Sequence, residues 1–120
     1  MTRDWYKTLL WLMWLALPLV ALDYWRAWDA LPERMAVHFD ADWNPNGYTT
    51  REGAVELGLG ILSLLLLTST IAAVVSRAQK PSSAWPVLVI SYVVVGISCY
   101  ANLWLIDFNL KEASHRLLGT

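Results

Sequence analysis

The sequence predicts an all-α integral membrane protein: three transmembrane helices, a structured extracytoplasmic loop forming a short hairpin-like cap between helices one and two, and an amphipathic C-terminal helical extension. Three observations carry that prediction. Of 120 residues, 57% are hydrophobic and only 16% are charged, which lies outside the ordinary range of soluble domains. The charges are also unevenly placed, since no Asp, Glu, Lys or Arg occurs from Thr8 to Leu22, from Leu57 to Ser76 or from Pro81 to Ile106. Aromatic residues gather near the ends of these runs, at Trp5, Tyr6, Tyr24, Trp25, Trp28, Trp85 and Trp104, where a ring gains from an apolar body and a wet edge together.

A helix crossing a hydrocarbon core of about 30 Å needs roughly 20 mostly apolar residues, so the second and third runs suffice as they stand. The first is shorter. It becomes long enough when Lys7 snorkels toward the headgroups and Asp23 lies at the far interface. The helices are accordingly placed at about 5–28, 50–77 and 83–118, with the cap over 29–49, in one domain covering 1–120. A cleavable signal peptide is the competing reading of the first run, because Arg3 and Lys7 precede an apolar stretch. The segment around Leu19–Val20–Ala21 makes a poor cleavage site, which favours a retained span.

Each helix has recognisable local chemistry. Pro18 deprives the Trp14 carbonyl of its usual amide partner and is expected to kink the first helix. Thr49-x-x-Glu52 reads as a capping box that starts the second helix near Thr50. Before the third helix, Ser83 is placed to cap and Pro86 is tolerated in the first turn. Beyond Ile106 the chain turns polar, yet Ile106, Leu110, Ala113 and Leu117 keep one apolar stripe. Asp107/Lys111 and Glu112/Arg116 are i,i+4 pairs, so the third helix should run on to about Leu118 and end at Gly119.

Lipid tails are as apolar as Leu, so helices in a bilayer associate through small residues and interhelical hydrogen bonds. Gly60, Ser63, Leu67 and Thr70 form one candidate packing face, and Ser91, Ser98 and Asn102 form another. No charge lies within the apolar runs, which argues against a pump or an ion carrier. The net charge of −1 argues against nucleic-acid binding, which needs a basic surface. The single Cys99 can form no internal disulfide and reads as a small packing residue. Arg3, Lys7, Arg77 and Lys80, opposed only by Asp4 in two short flanks, place the N-terminus and second loop in the cytoplasm. The first loop and C-terminus then lie outside an inner cell membrane.

The loop from Leu31 to Tyr48 is too patterned for a slack linker. Val37, Phe39 and Ala41 alternate with His38, Asp40 and Asp42, which is the period of a strand with one apolar face. Asn44–Pro45–Asn46–Gly47 reads as a turn, with Gly47 supplying a positive φ. His38, Asp40 and Asp42 on one face suit a Zn²⁺ or Mn²⁺ ion, with His115 as the remaining candidate ligand. The alternative is a solvated strand face in which His38 is hydrogen-bonded locally and Phe39 packs on the outer helix ends, and the sequence is read that way, without a metal.

Leu31–Pro32, His38–Phe39, Pro45–Asn46–Gly47–Tyr48 and Arg51 resemble the loop signature of a bacterial family of unknown function. That domain recurs as the N-terminal part of SdpI-type immunity proteins, which protect a bacterium from a secreted toxin peptide. In this chain Ala36 stands where the family has a second proline, Trp43 where it has its first glycine, Asn46 where it has an aspartate and Arg51 where it has a lysine. The resemblance implies a small multi-pass membrane protein that binds a peptide or protein partner through its outer loop and helix ends. An accessory subunit of a larger membrane complex, or a homo-oligomer, is the second reading. The chain offers no recognisable nucleophile, general-base pair or phosphate-binding loop, so an enzyme or metal-dependent sensor ranks last, and no cofactor is expected.

Overall fold

The structure, a computed structural model, describes residues 3–118; the helix end expected at Gly119 lies outside the described residues. Three segments are long and apolar enough to cross a membrane, Trp5–Ala30, Arg51–Gln79 and Pro81–Leu117. A two-stranded antiparallel sheet lies between the first and the second. The first span consists of α1 (Trp5–Leu12), a 3₁₀ turn at Met13–Leu15, α2 (Ala16–Ala27) and a closing 3₁₀ turn at Trp28–Ala30. The tightened turn contains Trp14, whose carbonyl Pro18 leaves without an α-helical partner; 3₁₀ bonding is one way to re-satisfy such a group.

The hairpin strands are β1 (Arg34–Phe39) and β2 (Pro45–Thr50), followed at once by α3 (Arg51–Gln79). A 3₁₀ turn at Pro81–Ser83 then leads into α4 (Ala84–Leu118). At 35 residues, α4 is about 52 Å long, so it outlasts the hydrocarbon core and carries on beneath the hairpin. Asp107 and Lys111 pair on its exposed side at 2.9 Å.

The capping chemistry at two helix starts differs from the sequence reading. The cap of α3 is Thr50, whose Oγ1 accepts from the Gly53 N–H at 3.0 Å, because Thr49 is held in the strand opposite Met35. No Thr49–Glu52 box forms; Glu52 instead sits in the first turn of α3, where its charge faces the positive helix end. Ahead of α4, Ser83 closes a tight turn through its own N–H to the Lys80 carbonyl, at 2.8 Å.

Between the arginine contacts at its two ends, the bundle is crossed by hydrogen bonds from aromatic side chains. Tyr6 Oη lies 3.1 Å from both the Ala73 and the Ala84 carbonyls, joining α1 to α3 and α4. Trp14 Nε1 donates to Thr70 Oγ1 at 2.8 Å, and that hydroxyl donates on to the Leu66 carbonyl at 2.7 Å. Tyr92 Oη donates to the Leu9 carbonyl at 2.5 Å. Tyr24 Oη donates to Asn102 Oδ1, and Asn102 Nδ2 donates to the Ser98 carbonyl at 2.9 Å. Tyr6 and Tyr24 are therefore buried between helices, and are not interfacial anchors; Trp5, Trp25 and Trp85 remain exposed.

Ser91, Ser98 and Asn102 are buried and Ser63 and Thr70 half-buried, so that part of the packing pattern faces protein. Gly60 and Leu67 do not. Both are exposed, and a Cβ placed on Gly60 would meet nothing within 4 Å. The glycine that admits a close approach is Gly58, two residues earlier and on nearly the opposite face of the helix. A Cβ there would collide with Asn102 Oδ1 and stand 2.6 Å from the Tyr24 hydroxyl.

Gly58→Ala is therefore expected to destabilise the bundle by ~1–3 kcal/mol, the usual range for overpacking. Gly60→Ala should be neutral or stabilising by up to ~1 kcal/mol, since it only removes helix-interior glycine entropy. Equal unfolding midpoints for the two variants in detergent would show that the helices meet elsewhere. A second expectation concerns Asp4, which accepts at 3.0 Å from Arg77 and at 3.2 Å from the Lys7 amide. The Arg77 hydrogen bond, then the Lys7 amide, hold its carboxyl below the ordinary 3.8. A group depressed in the folded state stabilises above its unfolded value, and that stabilisation is lost as pH falls through the folded one. Acid melting curves of the wild type and Asp4→Asn should thus converge below pH 3.8 and differ above it.

Candidate functional site

The hairpin forms a cap seated on α4 and on the start of α3. In β1 both Met35 and Ala36 are buried, which breaks strict alternation. The register explains it: Ala36 pairs with Tyr48 and His38 with Gly47, so a bulge between them leaves Val37 without a partner. Bulges add a residue to one strand and re-aim the side chains after it. Here Phe39 is turned onto α4, edge-on to Trp104 and Phe108 with ring centroids 5.0 Å away in each case. Trp104 and Phe108 stack on each other.

Ala36 shows what holds the cap down. Its N–H donates to Asn109 Oδ1 at 2.9 Å, and its carbonyl accepts from Asn109 Nδ2 at 3.0 Å. Asn109 thus satisfies both backbone groups of Ala36, as a neighbouring strand would. It is itself only 2% exposed.

The turn lies earlier than Asn44–Pro45–Asn46–Gly47. Asp40 organises it: Oδ1 accepts from the Asp42 and Asn44 amides at 2.9 Å each, and the Trp43 N–H donates to the Asp40 carbonyl at 3.0 Å. Asp side chains commonly stabilise turns in this way. Strand β1 consequently stops at Phe39, and Ala41 is exposed in the turn instead of facing the core. Gly47 has no positive φ; the residue that does is Trp43, at 64°. Gly47 is needed for a different reason, since a Cβ there would come within 2.8 Å of His38 Cβ across the sheet.

His38 Nδ1 lies 2.6 Å from Asn46 Oδ1, a cross-strand bond that closes the hairpin on its exposed face. Among the described residues no three His, Cys, Asp or Glu side chains gather as a metal site. Asp40 is turned into the loop backbone, and Asp42 lies in the turn beyond the strand. Leu31 is buried in the core and Pro32 half-buried, while Pro45 pairs with Phe39. Arg34 lies over the Tyr48 ring at 5.0 Å.

Arg51 joins the hairpin to the first span. Its NH1 donates to the Trp28 carbonyl at 2.9 Å and the Leu31 carbonyl at 3.3 Å, and its guanidinium lies 4.7 Å over the Trp28 ring. A cation suits those carbonyls because they end a helix, where backbone acceptors lack partners. Its own N–H donates to the Glu33 carbonyl at 3.0 Å.

Sequence reasoning missed Asn109 and the aromatic seat of Trp104 and Phe108. It also missed an open groove of about 520 Å³ between the hairpin tip and α4, lined by Trp43, Ile97, Tyr100, Ala101 and Trp104. Trp43 and Tyr100 are each 70% exposed there, and Trp43 also packs on Trp104 at 5.7 Å. For Asn109 a signal existed: it lies on one helical stripe with Asn102 and Ile106.

Fold and site together define a class, a three-helix membrane protein whose first interhelical loop is a hairpin seated by side chains of the last helix. Residues 9–62 match the model of a family described as a domain of unknown function, DUF1648. The match takes in most of the first span, the whole hairpin and the first turns of α3. No curated protein and no solved structure matches the chain.

Asn109→Ala should leave the Ala36 N–H and carbonyl buried without partners, at a cost of ~1–3 kcal/mol for each such group. Limited proteolysis should then cut within 34–50, while the helices stay intact. His38→Gln, which keeps a hydrogen bond to Asn46, should resist cleavage better than His38→Ala. Equal cleavage rates for wild type and Asn109→Ala would show that the cap is held by something other than this amide.

Proposed function

We propose that this chain is a small multi-pass protein of the bacterial inner membrane that binds a peptide or protein partner through its outer loop and helix ends, in the manner of an immunity protein. The observation carrying this reading is Trp43. A bulky residue at positive φ is uncommon and costs of order 1–2 kcal/mol. Its edge-on contact with Trp104 returns only ~0.5–1.5 kcal/mol, so the indole adds little net stability where it stands. It is nevertheless held out at the hairpin tip beside Tyr100 and Ile97, and clustered exposed aromatics are characteristic of recognition surfaces.

In this reading the first loop and the C-terminus face outward and the N-terminus inward, in keeping with the basic flanks of Arg3, Lys7, Arg77 and Lys80. The partner is a segment with apolar side chains that fill the groove between Trp43 and Tyr100. A second reading, an accessory subunit of a larger complex, draws on the Trp-rich first span, along whose side Trp11, Leu15 and Leu19 are exposed and free to pack on another chain.

Trp43→Gly relieves the backbone and removes the indole, so it should leave the melting temperature unchanged or raised while weakening capture of a cross-linkable partner in cells at least tenfold, the scale of a hot-spot side chain. Undiminished cross-linking through Tyr100 would sink the recognition reading. Mild detergent extraction decides between the two readings, since a defined hetero-complex that survives Trp43→Gly supports the subunit. Cysteines placed at Asn46 and Gln79 test the orientation. Labelling of Gln79→Cys but not Asn46→Cys by an impermeant reagent in intact cells would reverse it.

A further inference from the structure

At the end of the bundle opposite the cap, two neighbouring depressions share two residues. The first is an open cleft of about 640 Å³ between the N-terminus of α1, the C-terminus of α3 and the start of α4, with Arg3, Arg77 and Trp85 on its walls. The second, about 330 Å³, is a groove that runs down between α1 and α3 over Leu10, Trp11 and Val74, with Lys7 at its rim. Tyr6 and Arg77 line both. A polar, cationic basin thus continues into an apolar channel on the membrane-facing side of the same helices.

We propose that this pair of depressions binds one anionic phospholipid. The phosphate sits against Arg77, between Lys7 and Arg3, and an acyl chain lies in the α1/α3 groove. Arg77 is already positioned for this. Asp4 engages its NH1 nitrogen at 2.9–3.0 Å and the Tyr6 ring lies 4.7 Å beneath its Cζ. A guanidinium carries five N–H donors in a fixed fork, so donors remain for a second acceptor, and its side chain is 46% exposed. Lys7 forms no ion pair among the described residues. Asp4 is the single acid among Arg3, Lys7, Arg77 and Lys80 at this end, so the local charge stays positive after the Asp4–Arg77 pair forms.

A free phosphate ion would share the cationic basin but has no use for the groove over Leu10, Trp11 and Val74. That continuity is what selects a lipid. Basic pockets between transmembrane helices hold anionic headgroups by the same combination, and trapped aromatic rims such as Trp5 and Trp85 match headgroup depth.

The test is native mass spectrometry of the full chain, released from detergent with dioleoyl-phosphatidylglycerol or dioleoyl-phosphatidylcholine, with inorganic phosphate as a third arm. One phosphatidylglycerol should be retained in preference to phosphatidylcholine, and inorganic phosphate should not displace it. Lys7→Gln should weaken retention about fivefold, the contribution of one basic residue near an anionic headgroup. Lys111→Gln, at the far end of α4, should change nothing, and the melting temperature of both variants serves as the folding control. Equal retention of the two lipids, displacement by inorganic phosphate, or an unchanged Lys7→Gln would each overturn the proposal. An equal loss in Lys111→Gln would do the same, since it would show diffuse surface attraction.

Discussion

The junction of Tyr24, Gly58 and Asn102 is the constraint on which the bundle depends. Each residue comes from a different span, and the hydrogen bond between Tyr24 and Asn102 exists only because Gly58 has no side chain in the space it occupies. Hydrocarbon offers no substitute partner for a phenol or an amide, so the two polar groups must meet each other or remain unsatisfied. Their meeting fixes the rotation of all three helices at one depth. Tyr6, Trp14 and Tyr92 repeat the device at other depths, each reaching a backbone carbonyl or a hydroxyl already bonded within its own helix. The rotation set in this way also brings Lys7 and Arg77 to the same groove.

The cap follows from the same rule at the water boundary. A two-stranded hairpin is marginal alone, and its buried edge at Ala36 would carry unpaired backbone groups. Asn109 removes that cost, and it can do so because α4 continues beyond the hydrocarbon. The length of α4 is thus a condition for the hairpin, not an independent extension. Arg51 completes the seat by taking up the terminal carbonyls of the first span, which lets the loop leave the membrane without orphaned acceptors.

The three spans were legible because a charge-free run of sufficient length is a statement about composition, which does not depend on how helices are rotated. The hairpin was legible as an ordered element for a similar reason, since exposed His38 next to inward-turned Phe39 keeps the period of a strand. What failed were choices that only the partner decides. Gly58 and Gly60 lie in one Gly-Leu-Gly sequence, and which one faces protein depends on where Tyr24 and Asn102 arrive. The turn was misplaced because Asn44–Pro45–Asn46–Gly47 carries stronger local turn chemistry than Asp40–Asn44; the bulge opposite Gly47 makes the former a strand. Tyr6 and Tyr24 looked like interfacial anchors because they stand near the ends of an apolar run, where position along the sequence says nothing of which way a ring points.

The bundle covers little of its own surface. Within the most apolar stretch of the three spans only 22%, 22% and 28% of residues are buried inside the protein, so most side chains of each helix are left half-buried or exposed. In water such exposure would be prohibitive; in a bilayer it is neutral, because lipid and Leu are equivalent neighbours. The consequence is that apolar packing contributes little preference for one arrangement over another, and specificity falls to the few hydrogen bonds and close glycine contact that cannot be exchanged for lipid. Interhelical bonds in membranes are worth ~0.6–2 kcal/mol each, so those of the four aromatic donors hold the helices by a modest margin. A fold held by that margin keeps its outward faces available, and the aromatic groove at one end and the basic one at the other lie on faces that the bundle itself leaves uncovered.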